Sequence, residues 1–167
     1  MRKIWGAFLG IVLLTTVAGC GAGRTMVMKP PDSKTVASGV RVVRGQSTVV
    51  VPEEVSLRFE EQLNKRLFQA EEGKEPPFAE GMDLKLVYRF IQYNEGSQFA
   101  RYMLGGLGNS GEGTLTVSVC YRDSDDNELC TIQSEGKIGS GFFGGSFSSA
   151  VDRCAEEIAG YTVANFK

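Results

Sequence analysis

Two short stretches near the middle of the chain alternate strictly between apolar and other residues. Leu84, Leu86, Tyr88 and Phe90 form the first, and Leu115, Val117, Val119 and Tyr121 the second. A period of two places every apolar side chain on one face of an extended strand, so each segment predicts a half-buried strand. Such a face must be covered by something apolar. Two candidates flank the strands. Val55, Phe59, Leu63 and Leu67 recur every fourth residue, and Val151, Cys154, Ala155, Ile158 and Thr162 fall on one helical face. Each set makes the stripe of an amphipathic helix.

The first helix has its own start signal. Pro52 suits the first position, and Glu53 and Glu54 complement the positive end of the helix dipole. The second helix is expected from Ser146 to about Asn165. Val40–Val43, with a second valine run at Val49–Val51, reads as an earlier strand. A polar turn at Ser124-Asp125-Asp126-Asn127 leads to a return strand ending near Ile138. The order is β-α-β-β-β-α. The expected fold class is α+β, a two-layer αβ sandwich with about four mostly antiparallel strands and two helices on one face.

Ahead of this domain the chain is differently built. Arg2 and Lys3 precede a mostly apolar run from Gly6 to Val17, and Ala18-Gly19-Cys20 follows. The run is shorter than the roughly 20 residues a membrane-spanning helix needs, and its flanks are those of a secretory signal. The segment resembles a bacterial lipobox, which implies lipidation of Cys20 and cleavage before it. Residues 1–19 are thus expected as a lipoprotein signal peptide. Residues 20–39, rich in Gly, Pro and Ser, are expected as the lipidated cysteine and a flexible tether, and residues 40–167 as a single domain. Gly21 stands where an aspartate would act as an inner-membrane retention signal. The expected address is therefore the outer membrane, lipid-anchored, facing the periplasm.

Composition narrows the chemistry. The chain has no histidine and a formal charge of −2. The commonest general base and metal ligand is absent, and with it every histidine-based triad. No GxSxG elbow supplies a serine nucleophile. No CxxC pair is present either, so neither a metal nor another cofactor is expected. The mild acidity gives no electrostatic footprint for nucleic acid. A non-enzymatic protein follows as the expectation. Of two GxGxxG matches, Gly106–Gly111 runs into a strand rather than a helix, and Gly139–Gly144, though it precedes a helix, lacks the following parallel strand that a dinucleotide site requires.

Beyond Cys20, three cysteines remain. A two-residue hairpin loop at Asp125-Asp126 would pair Tyr121 with Cys130 and Val119 with Ile132, setting Cys130 on the face that meets the last helix. Cys130 and Cys154 then become a candidate disulfide. A loop one residue longer would set Cys120 opposite Cys130 instead, and free thiols acting as small core residues are the third reading.

The glycine-rich segments at about 94–113 and 139–145 carry Tyr102, Leu104 and Leu107 on one side and Phe142 and Phe143 on the other. Joined through the hairpin, both lie at one end of the sheet. These five residues are candidate partner-contact positions; the alternative is that they cap the core.

From about Val40 onward the pattern resembles the lipoproteins grouped as domain of unknown function 4410. The resemblance rests on the Pro-initiated helix, on Arg101-Tyr102-Met103-Leu104-Gly105-Gly106-Leu107-Gly108, on the acidic turn Arg122-Asp123-Ser124-Asp125, and on glycines before the final helix. That family has no assigned activity, so the resemblance implies fold and compartment. The functional expectation is a lipid-anchored envelope protein that binds a protein partner, or another copy of itself, in the periplasm. The alternative is a periplasmic carrier or sensor of a lipid or small apolar ligand.

Overall fold

A computed structural model describes residues 23–31, 34–70, 72–94, 113–137 and 147–167. The elements are β1 (Gly23–Lys29), β2 (Gly39–Arg44), α1 (Glu53–Phe68), β3 (Ala79–Glu80), β4 (Leu84–Asn94), β5 (Thr114–Arg122), β6 (Glu128–Lys137) and α2 (Phe147–Phe166). The six strands form one mixed sheet in the order β1-β6-β5-β4-β2-β3.

The two alternating stretches become the central strands β4 and β5, paired antiparallel with Leu86 opposite Tyr121 and Tyr88 opposite Val119. Their apolar positions are fully buried under α1 and α2. Val55, Phe59, Leu63 and Leu67 of α1 are buried, as are Val151, Cys154, Ala155, Ile158 and Thr162 of α2. The helices lie side by side on one face of the sheet. Across their exposed seam, the Arg58 guanidinium donates to both carboxylate oxygens of Asp152 at 2.8 and 2.7 Å. That carboxylate holds the guanidinium above its already high range.

Aromatic rings fill the space between the layers. Phe59 sits 5.1 Å from Tyr88 and 5.5 Å from Phe90, and Tyr121 stacks on Phe166 at 4.9 Å. Burial raises the phenol of Tyr121, and its OH meets the Thr162 hydroxyl at 2.9 Å. The polar tip of a buried ring thus finds its partner on α2.

Several expectations need correction. The sheet has six strands rather than about four, and it is mixed. After β2, helix α1 carries the chain back across the sheet, so β4 runs parallel to β2, as a helical crossover allows. Residues 23–29, expected within the flexible tether, are strand β1, antiparallel to β6 from Gly23–Gly136 to Val27–Ile132. The ordered sheet therefore begins well before Val40. Nothing local announces β1; the backbone groups of β6 do. Strand β3 has only two residues, against Gly39 and Val40. Val49–Val51 is not a strand: Val49 and Val51 pack against the core from the segment leading into α1.

The β5–β6 register is the expected one, with Tyr121 opposite Cys130 and Val119 opposite Ile132. It is reached by a longer turn with an irregularity at Arg122. Asp126 takes φ 69° there. One Asp123 carboxylate oxygen accepts the backbone N–H of both Asp125 and Asn127, at 2.9 and 2.8 Å.

Candidate interaction surface

Of the residues singled out from sequence, Cys20, Tyr102, Leu104, Leu107, Phe142 and Phe143 lie outside the described residues. The strand ends that bound the two glycine-rich segments are described. Thr114 pairs with both Asn94 and Lys137, so the strand ends that flank the two segments lie at one end of the sheet.

Cys130 and Cys154 are both buried, and their thiols are free. The Cys154 thiol donates to the Ser134 carbonyl at 3.3 Å, and the Ser134 hydroxyl donates to the Cys154 carbonyl at 3.3 Å. Cys154 therefore sits over Ser134, four residues along β6 from Cys130. At about 3.3 Å per residue that is roughly 13 Å of strand, beyond the ~7 Å between Cα atoms that a disulfide spans. The candidate Cys130–Cys154 bridge is corrected on this ground. Both cysteines face the helices as expected, but at different depths along the sheet. Cys130 Sγ instead accepts the Tyr161 hydroxyl at 3.9 Å, and burial pushes the Cys154 thiol up to about 12. Cys120 pairs across from Thr131 and points to the opposite face, which leaves Cys120–Cys130 without geometry as well.

The described surface offers a groove of about 1020 Å³ between β2 and α1. Val40, Val42 and Phe68 line it, with Glu60, Glu61 and Lys65 on the α1 side, Glu80 at the end of the short β3 and Met82 just past it. Tyr88 donates its hydroxyl to Glu60. Arg44 lies 4.0 Å from the same carboxylate, donates to the Ser56 hydroxyl at 3.2 Å and rests over the Phe90 ring at 5.7 Å. Burial first, then the Glu60 carboxylate, raises the Tyr88 phenol, so its hydroxyl stays protonated as the donor. This cluster ties α1 to the sheet at the groove wall. Sequence reading missed it; the available signal was a tyrosine on a buried strand face, whose hydroxyl requires a partner.

The far face of the sheet carries no helix among the described residues. Arg89, Cys120, Arg122 and Thr131 line a second hollow of about 730 Å³ there. Among the described residues, no three His, Cys, Asp or Glu side chains are placed to hold a metal ion, and no helix is long and apolar enough to cross a membrane.

The profile of the family described as domain of unknown function 4410 matches residues 45–141, more than half of the chain. The chain belongs to this family. The matched region holds α1, β3, β4, β5, β6, the first glycine-rich segment and the start of the second, so it includes the α1 wall of the groove and the β5–β6 hairpin, while β2 lies just before it. No curated protein matches the chain. Among solved structures, the fold is similar to that of a PelC variant from Paraburkholderia phytofirmans, solved as a dodecamer. The TM-score is 0.51 at 14% identity, over 87% of this chain and 99% of that one. A second PelC dodecamer from the same organism aligns at 12% identity and TM-score 0.49, over 83% of this chain and 96% of that one.

Proposed function

We propose that this DUF4410 protein is a lipid-anchored component of the bacterial envelope. In this reading it is held by Cys20 to the periplasmic face of the outer membrane and works without catalysis, through protein contacts that include further copies of itself. The observation that carries the reading is a sheet left open at both edges. Among the described residues, strand β1 pairs only with β6, and β2 is covered by β3 over only Gly39 and Val40. Open edges are strand-pairing surfaces. The likeness to a fold solved as a dodecamer supports self-association as one such contact. The lipobox-like segment supports the anchor.

The runner-up, a carrier of a small apolar ligand between sheet and helices, has less support. Phe59, Tyr88, Phe90, Tyr121 and Phe166 fill that space themselves.

Chemical crosslinking in intact cells, with mass spectrometry of the products, tests the reading. Wild type is expected in the outer-membrane fraction, labelled by palmitate, and in products that are multiples of its own mass or contain one other envelope protein. Cys20→Ser is expected to lose both the label and the membrane fraction. A wild-type chain that is unlabelled and uncrosslinked at its native level overturns the proposal.

A further inference from the structure

Strands β1 and β2 stand near opposite ends of one sheet, and each presents an unpaired side among the described residues. On β2, Gly45 N–H donates to Tyr88 O at 2.7 Å, inward to β4, while Val40 O accepts Gly81 N–H at 3.1 Å on the outer side. Backbone direction alternates along a strand, so Val42 and Arg44 also turn their N–H and C=O outward, just past the point where β3 stops. On β1, Val27 and Met28 are 49% and 56% exposed. Natural edge strands are ordinarily guarded by charge, proline or a covering element; these two apolar residues stand uncovered among the described residues.

Strand direction and symmetry decide which edge meets which. From the pairings, β1 is antiparallel to β6, β6 and β4 run the same way, and β2 is parallel to β4. In a sheet continued from copy to copy, β1 of one molecule therefore runs antiparallel to β2 of the next. A β1–β1 or a β2–β2 contact is two-fold and ends at a pair of copies, whereas the mixed pairing repeats from copy to copy. With Val27 opposite Val42, Met26 meets Val43, Thr25 meets Arg44 and Arg24 meets Gly45, and every facing pair is on the same side of the sheet. Val27 then lies over the groove beside Val42 and Phe68. Lys29 comes to the end of β3, beside the exposed Glu80.

We propose that copies of this chain associate head to tail, the β1 edge of one copy adding as a strand to the Val42–Gly45 edge of the next. The proposal rests on the self-association reading above and specifies its interface. Because the two surfaces differ, the contact propagates, closing into a ring if the rotation per copy allows it and otherwise forming a filament.

Site-directed disulfide capture tests it, using full-length chains carrying Cys120→Ser. Val27→Cys and Val42→Cys are placed in differently tagged copies, co-expressed and oxidised in membranes. The expected result is a covalent dimer only when both copies are present, no dimer from either variant alone, and a ladder of multimers from the double variant. A Val27→Cys homodimer overturns the head-to-tail arrangement. Absence of crosslinks while the parent chain is oligomeric by native mass spectrometry overturns this interface and leaves self-association standing. A monomeric parent overturns both. As a second variant, Val27→Lys is expected to keep its circular dichroism spectrum and melting temperature while its assemblies fall to monomers; assemblies of unchanged size count against the proposal.

Discussion

Asp83 is a single exposed carboxylate that organises the entry to β2. Its Oδ2 accepts the Ser38 hydroxyl at 2.6 Å, the Gly39 N–H at 3.0 Å and the Ser38 N–H at 3.2 Å. Those bonds, the Ser38 hydroxyl foremost, hold its carboxyl below the usual carboxylate range. A carboxyl depressed in the folded state adds stability above its unfolded pKa of about 3.9, and that contribution is lost as pH falls through the folded value. In urea melts, the stability gap between wild type and Asp83→Asn is therefore expected at pH 6 and to shrink as the pH drops below about 4. A gap that stays constant to pH 2.5 would falsify the assignment. Asp123, depressed by the Asn127 side chain and backbone, acts in the same direction at the hairpin. At this scale the sequence was a partial guide. It placed Cys130 and Cys154 on the helix-facing side, since facing follows from period alone. It could not place them along the sheet, because where α2 crosses β6 depends on both layers at once.

At the scale of elements, the layers approach closely at a glycine. A Cβ on Gly136 would come within 2.0 Å of the Ala150 carbonyl oxygen and 2.8 Å of its carbon. That oxygen belongs to the helix backbone, so it cannot swing aside as a side chain would. Gly136→Ala is expected to destabilise the protein by at least about 2 kcal/mol, read as a lower urea midpoint. A midpoint equal to wild type would show that α2 can move away. The helices and central strands were legible because each has a strong period of its own, with bounds within a residue or two: the second helix is described from Phe147, next to the expected Ser146, and ends at Phe166 rather than Asn165. Strands β1 and β3 were not. Thr25-Met26-Val27-Met28 is apolar on both sides and sits between Arg24 and Lys29, so it carries no alternation to read. Val49–Val51 erred the other way: its β-branched residues favour a strand, but Pro52 and the start of α1 leave no room for one.

The whole molecule is one core shared by all its large elements. Phe59 of α1 reaches Tyr88 and Phe90 of β4, while Tyr121 of β5 reaches Tyr161 and Phe166 of α2. The Ala37 N–H binds the Phe166 carbonyl at 2.8 Å, tying the end of α2 to the segment before β2. Phe59→Ala is expected to cost about 3–5 kcal/mol. Far-UV and near-UV circular dichroism should still fall in one step, as in a two-state domain; separate transitions would mean that α1 and α2 stabilise different units.

What the sequence determined by itself was the set of faces: which side chains turn inward on β4, β5, α1 and α2. Those are consequences of periods of two and of about 3.6, which act within a single segment. The tertiary structure alone decided the direction of β2, the recruitment of β1 to the sheet, the depth at which Cys154 sits, and the two edges that remain open. Each depends on backbone hydrogen bonds or packing between residues far apart in the chain, and no local pattern records such a partner.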